Sequence, residues 1–156
     1  MAYEHTAVAV TKSQEGIRRI ILSNGGTAVA FISQPPFEGF EAQVVIDGKT
    51  YRVRITAQCK PTEKKARARW YRGSLRPPKD LQEAQVRRIW RVLFYHLKGV
   101  YEAANTGVME FRELMLPYIV VKDNRTIAEH LLPKLDATVA GNPARLLMAG
   151  NPEEPR

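Results

Sequence analysis

One cysteine, three scattered histidines and no long apolar run limit what this 156-residue chain can be. The lone Cys59 excludes an intrachain disulfide and any zinc site built from a cysteine cluster. His5, His96 and His130 are too far apart in sequence to suggest an imidazole cluster, so no metal and no cofactor is expected. No apolar run approaches the roughly 18 to 20 residues of a membrane span, and the start Met1-Ala-Tyr-Glu-His5 lacks the basic-then-apolar layout of a secretory signal. The expected setting is the cytoplasm, with no membrane partner. The loops Gly-x-x-x-x-Gly-Lys-Ser/Thr and Gly-x-Gly-x-x-Gly and the elbow Gly-x-Ser-x-Gly are all missing, which removes support for nucleotide-dependent and hydrolase chemistry. Glu110 and Glu113 share a helix face and are read as a solvated acidic surface beside Arg112 rather than a metal-binding pair. The chain is expected not to be an enzyme.

What the sequence has in excess is positive charge, and it is concentrated. The net charge is +8. Residues 60 to 79, KPTEKKARARWYRGSLRPPK, hold eight basic side chains against Glu63 alone, a net +7 that leaves +1 for everything else. A solvated linker would explain the charge and Pro61, Pro77 and Pro78. It would not explain Trp70-Tyr71 between Arg69 and Arg72, whereas a single-strand binder needs both cations for phosphates and aromatic faces for bases. A structural alternative makes Trp70 and Tyr71 the anchor of a further strand. The basic run after Cys59 would also lower a thiol pKa, although a lone intracellular cysteine is more often inert.

The chain on either side reads as ordered. Thr11-Lys-Ser-Gln resembles a capping box, with Thr11 or Ser13 opening a helix whose inward face is Ile17, Ile20 and Ile21, stopped at Asn24-Gly25-Gly26. Ala28 to Ile32 is a strand candidate and Pro35-Pro36 a loop. Asp47-Gly48 predicts a type I′ hairpin turn that pairs Val44 with Tyr51, Ala42 with Val53 and Phe40 with Ile55 on an apolar face. The other face pairs Gln43 with Arg52 and Glu41 with Arg54, as cross-strand partners or as a cationic surface. Asp80 to Glu83 reads as a second cap, opening a helix over 81–105 with Val86, Ile89, Trp90, Leu93, Leu97, Val100, Tyr101 and Ala104 inward. Its other side carries Arg87, Arg88, Arg91, Tyr95 and Lys98. A third capping box, Thr126 to Glu129, opens a helix with Ile127, Leu131, Leu135 and Val139 inward and a kink or break at Pro133.

Residues 88 to 135, about a third of the chain, resemble the C-terminal half of a family of small proteins carried by phages and prophages. Trp90, Gly107, Val108, Phe111, Asp123, Arg125 and Thr126 carry the resemblance. It implies a mobile-element setting and contains no catalytic signature.

These readings combine into one α+β domain over residues 1–141, a small antiparallel sheet packed on one face by helices, including one long helix. Residues 60–79 form a basic arm or irregular edge, and residues 142–156 a C-terminal tail. The expected activity is non-catalytic binding of nucleic acid, single-stranded DNA ahead of RNA and with little sequence preference. Lys64, Lys65, Arg67, Arg69, Arg72 and Arg76 would hold phosphates, Trp70 and Tyr71 would stack on bases, and Arg87 and Arg91 would extend the path. The rival is a protein-interaction factor, such as a host-defence inhibitor, docking the basic arm on an acidic partner. A helix as long as 81–105 outruns a small sheet, so a homodimer is left open.

Overall fold

The computed structural model describes residues 6–59, 70–71, 74–75 and 78–141, with the side chains of 6–59 and 82–140. The expected C-terminal tail at 142–156 lies outside the described residues. Three strands, β1 (Ala28–Gln34), β2 (Phe37–Ile46) and β3 (Lys49–Gln58), form an antiparallel sheet in the order β1-β2-β3. Asp47 and Gly48 both take positive φ, 50° and 75°, the conformation a type I′ turn demands. That turn sets the register: Phe40 lies opposite Ile55, Ala42 opposite Val53 and Val44 opposite Tyr51, as the alternation predicts. Pro35-Pro36 proves to be a tight turn rather than an open loop, since Gln34 pairs directly with Phe37.

One face of the sheet is apolar because the even positions of β2 from Phe40 to Ile46 and the odd positions of β3 from Tyr51 to Ala57 are apolar, and two helices cover it. In α1 (Val10–Ser23), Ser13, Ile17 and Ile21 are buried. The expected cap at Thr11 or Ser13 is not made: the N-cap is Ala9, with no side-chain bond to the helix. Ser13 sits four residues before Ile17 on the buried face, so burial of that stripe sets where the helix begins and capping does not. At its other end Gly25 adopts φ +86°, and the Gly26 N–H reaches the Ile21 carbonyl at 2.9 Å, closing the helix as the sequence predicts. The long helix, α2 (Pro78–Asn105), buries Trp90, Leu93, Leu97, Val100 and Tyr101 against the sheet. It begins at Pro78, one turn-half ahead of the expected cap at Asp80, in keeping with proline's fit to the first helical position. The result is an α+β fold with, among the described residues, one hydrophobic core cluster, which α3 (Phe111–Met115) and the 3-10 turn Leu116–Tyr118 complete through Met115 and, just beyond them, Ile119. Burial of the Tyr101 phenol pushes its pKa up to about 12.

The last helix, α4 (Ile127–Gly141), departs from expectation. Its capping box forms: the Thr126 N–H donates to Glu129 Oε2 at 2.7 Å and the Glu129 N–H to Thr126 Oγ1 at 3.2 Å. Pro133 does not break it. Proline lacks the N–H that would bond the Glu129 carbonyl four residues back, and Arg125 Nη2 supplies a donor to that carbonyl at 2.8 Å. The apolar stripe does not turn inward, however. Ile127 packs on the core, while Leu131, Leu135 and Val139 are 46%, 46% and 50% exposed. The helix leaves the body after its first turn, so a correct periodicity has no surface of this chain to meet among the described residues.

Candidate nucleic-acid interface

The basic stretch follows β3 beside the Pro35-Pro36 turn. The Cys59 N–H, just past β3, donates to the Pro36 carbonyl at 2.6 Å, and α2 starts at Pro78. Between them β4 (Trp70–Tyr71) pairs antiparallel with β5 (Ser74–Leu75), a ladder separate from the main sheet. Trp70 and Tyr71 therefore do not add a strand to that sheet. Lys64, Lys65, Arg67, Arg69, Arg72 and Arg76 lie outside the described residues.

A cleft of about 480 Å³ opens beside the Pro35-Pro36 turn, lined by Val10, Ser33, Glu38, Glu83, Val86 and Arg87 among others. Glu38 is the residue that the sequence reading missed. It occupies a core-facing position of β2, two residues before Phe40, and is only 5% exposed. A carboxylate survives there because its oxygens are satisfied: Trp90 Nε1–H donates to Oε2 at 2.9 Å and Ser33 Oγ to Oε1 at 2.9 Å. The parity of β2 already placed Glu38 on the inward face, and this was the available signal. Nearby, burial first and the Glu38 carboxylate second push the Cys59 thiol above its ordinary range. That direction favours the less nucleophilic, protonated thiol.

The cations of α2 meet different fates. Arg87 reaches the cleft wall with its Nε buried and without an acceptor among the described residues. One turn on, Arg91 lies over the rings of Phe94 and Tyr95, 5.1 and 4.6 Å from their centroids, and donates from Nη2 to Tyr95 Oη at 2.8 Å. Stacking of this kind orients the guanidinium along the helix surface. Lys98 pairs with Glu102 at 3.5 Å, as the spacing of four residues allows. Of these cations only Arg87 lines the cleft; Arg91 lies one turn further along α2 on its aromatic neighbours, and Lys98 is paired with Glu102.

On the sheet's other face one carboxylate serves two guanidinium groups. Glu41 accepts Arg52 Nε at 2.9 Å and Arg54 Nη2 at 2.9 Å, and both guanidinium groups also donate to Asn124 Oδ1. Arg52 and Arg54 are therefore structural cross-strand partners that hold the 122–126 turn over the sheet. Glu110 is the N-cap of α3 and Glu113 is exposed, and among the described residues no group of three histidines, cysteines or carboxylates is placed to hold a metal ion. No helix of the described residues is long and apolar enough to cross a membrane. No family model, curated protein or solved structure matches the chain.

Proposed function

We propose that this protein binds nucleic acid without catalysis, single-stranded DNA ahead of RNA and with little sequence preference, in the cytoplasmic service of a phage or related element. The observation that carries the reading is the concentration of charge: +7 of the +8 lies in twenty residues that also hold Trp70-Tyr71 between two arginines. Lys64, Lys65, Arg67, Arg69, Arg72 and Arg76 track phosphates, and Trp70 and Tyr71 stack on bases. The segment's attachment at Cys59 supports this, because Cys59 is bonded to the Pro35-Pro36 turn, and Ser33 and Glu38 on either side of that turn line a cleft with Arg87, from which Arg91 one turn on can continue a cationic path.

Fluorescence anisotropy with labelled single-stranded and duplex oligonucleotides tests it. The single strand binds more tightly, and replacing Trp70 and Tyr71 with alanine weakens it by about 1–3 kcal/mol for each stacked base lost. Affinity that ignores the aromatics and disappears near about 150 mM salt contradicts the reading and points to an acidic protein as the partner of the basic segment.

A further inference from the structure

We propose that α4 is a self-association helix, its outward ridge packing against the same ridge of a second copy. The proposal is independent of what the basic segment binds. Four large apolar side chains project from this helix: Leu131, Leu132, Leu135 and Val139, between 46% and 56% exposed. Leu131, Leu135 and Val139 are spaced by four, so they form one continuous ridge of the kind that interdigitates when two helices cross. α4 also contacts the turn Leu116–Tyr118, where Leu116 is itself exposed.

Charge selects the occupant. In a chain of net charge +8, α4 is the least charged of the three long helices. Glu129 is committed to the Thr126 cap and His130 to Asp123 at 2.8 Å. Only Lys134 and Asp136 remain, and they cancel. A nucleic acid, an anionic lipid surface or a strongly charged protein finds no counter-charge on this face. Two identical neutral faces meet without repulsion, and an isologous pair about a twofold axis closes on itself. Size sets the strength: fifteen residues span ~22 Å, so a seam between two such helices falls short of the ~800 Å² per partner of a standard interface. The dimer is correspondingly weak, half-formed between about 10 µM and about 1 mM.

Sedimentation equilibrium of the full chain decides the matter. The apparent mass rises from 17.7 kDa toward twice that value across this range, and Leu135→Glu holds it at the monomer value throughout. Leu135→Glu leaves the melting temperature at low concentration unchanged, because residue 135 is exposed in the single chain. A wild-type protein that stays monomeric at about 1 mM overturns the proposal. So does a dimer that survives both Leu131→Glu and Leu135→Glu, which would place the contact elsewhere. A third overturning result is a monomer whose melting temperature falls equally on Leu135→Glu and on removal of residues 142–156, which would mean that the chain covers its own ridge.

Discussion

The hairpin of β2 and β3 and the helix α4 carry equally regular apolar patterns, and only the hairpin is buried. Both patterns state which face seeks cover. The hairpin finds it because Asp47-Gly48 fixes the register locally and α1, four residues ahead of β1, packs with α2 on the face that results. α4 is directed by Thr126, Glu129 and Arg125 at its first turn, and those bonds aim it away from the core. Amphipathicity therefore identifies an interface without saying whether the other side belongs to the same chain.

Substitutions that break this contrast should differ most in the hairpin. Val53 has no exposed surface, so Val53→Asp places a charge where nothing pairs with it and should lower stability in denaturant melts by about 3 kcal/mol or more. Arg52→Ser on the opposite face removes partly exposed bonds to Glu41 and Asn124 and should cost less than about 1 kcal/mol. The same contrast should hold between helices. Leu97→Ala in α2 opens a cavity and should cost about 2–5 kcal/mol, whereas Leu135→Ala in α4 should stay within about 0.5 kcal/mol for the monomer. Equal losses at Leu97 and Leu135 would remove the distinction between the two regions.

Glu38 sharpens the comparison from within the buried side. Trp90→Phe deletes the donor to its carboxylate and should cost about 1–3 kcal/mol. In a Glu38→Gln background the same change should cost less, since an unpaired amide is cheaper to bury than an unpaired carboxylate. Additive effects in that cycle would mean that the bond contributes nothing beyond packing.

Much of this was legible in the sequence. The sheet register, the span of α2 from its middle to Asn105, and the capping box of α4 all follow from short-range rules: positive φ at a turn, a repeat of 3.6, a hydroxyl three residues before a glutamate. What escaped were effects of distant partners. The start of α1 follows the buried stripe of Ser13, Ile17 and Ile21 rather than a capping side chain. Glu38 is tolerated because of Trp90, 52 residues away. Pro133 is tolerated because Arg125 bonds the carbonyl that it frees. Of the candidate site, the charge concentration was legible, and the sequestration of Arg52 and Arg54 by Glu41 was one of the two readings weighed. The cleft was not, since it arises only when α1, β1, β2 and α2 converge.

The smallest effect concerns the base of α4. The hydrogen bond from His130, ahead of the Arg125 backbone, holds the Asp123 carboxyl below its ordinary value of 3.8. A carboxylate with a lowered folded pKa contributes stability above its ordinary value and loses it as pH falls through the lowered one. Carbon-detected NMR titration should therefore show the Asp123 midpoint moving up toward 3.8 in His130→Ala, and an unmoved midpoint would assign the lowering to the backbone instead.

The most direct test of the functional account is the salt dependence of single-strand binding. Affinity for an oligonucleotide should fall with the logarithm of salt at a slope of about 0.7 for each phosphate neutralised, and replacing Arg67 and Arg69 with serine should reduce that slope by roughly 1.4. Replacing Trp70 and Tyr71 with alanine should leave the slope unchanged, because stacking releases no counterions. Absence of binding by the wild-type chain at about 150 mM salt, or a slope indifferent to the two arginines, would contradict the account.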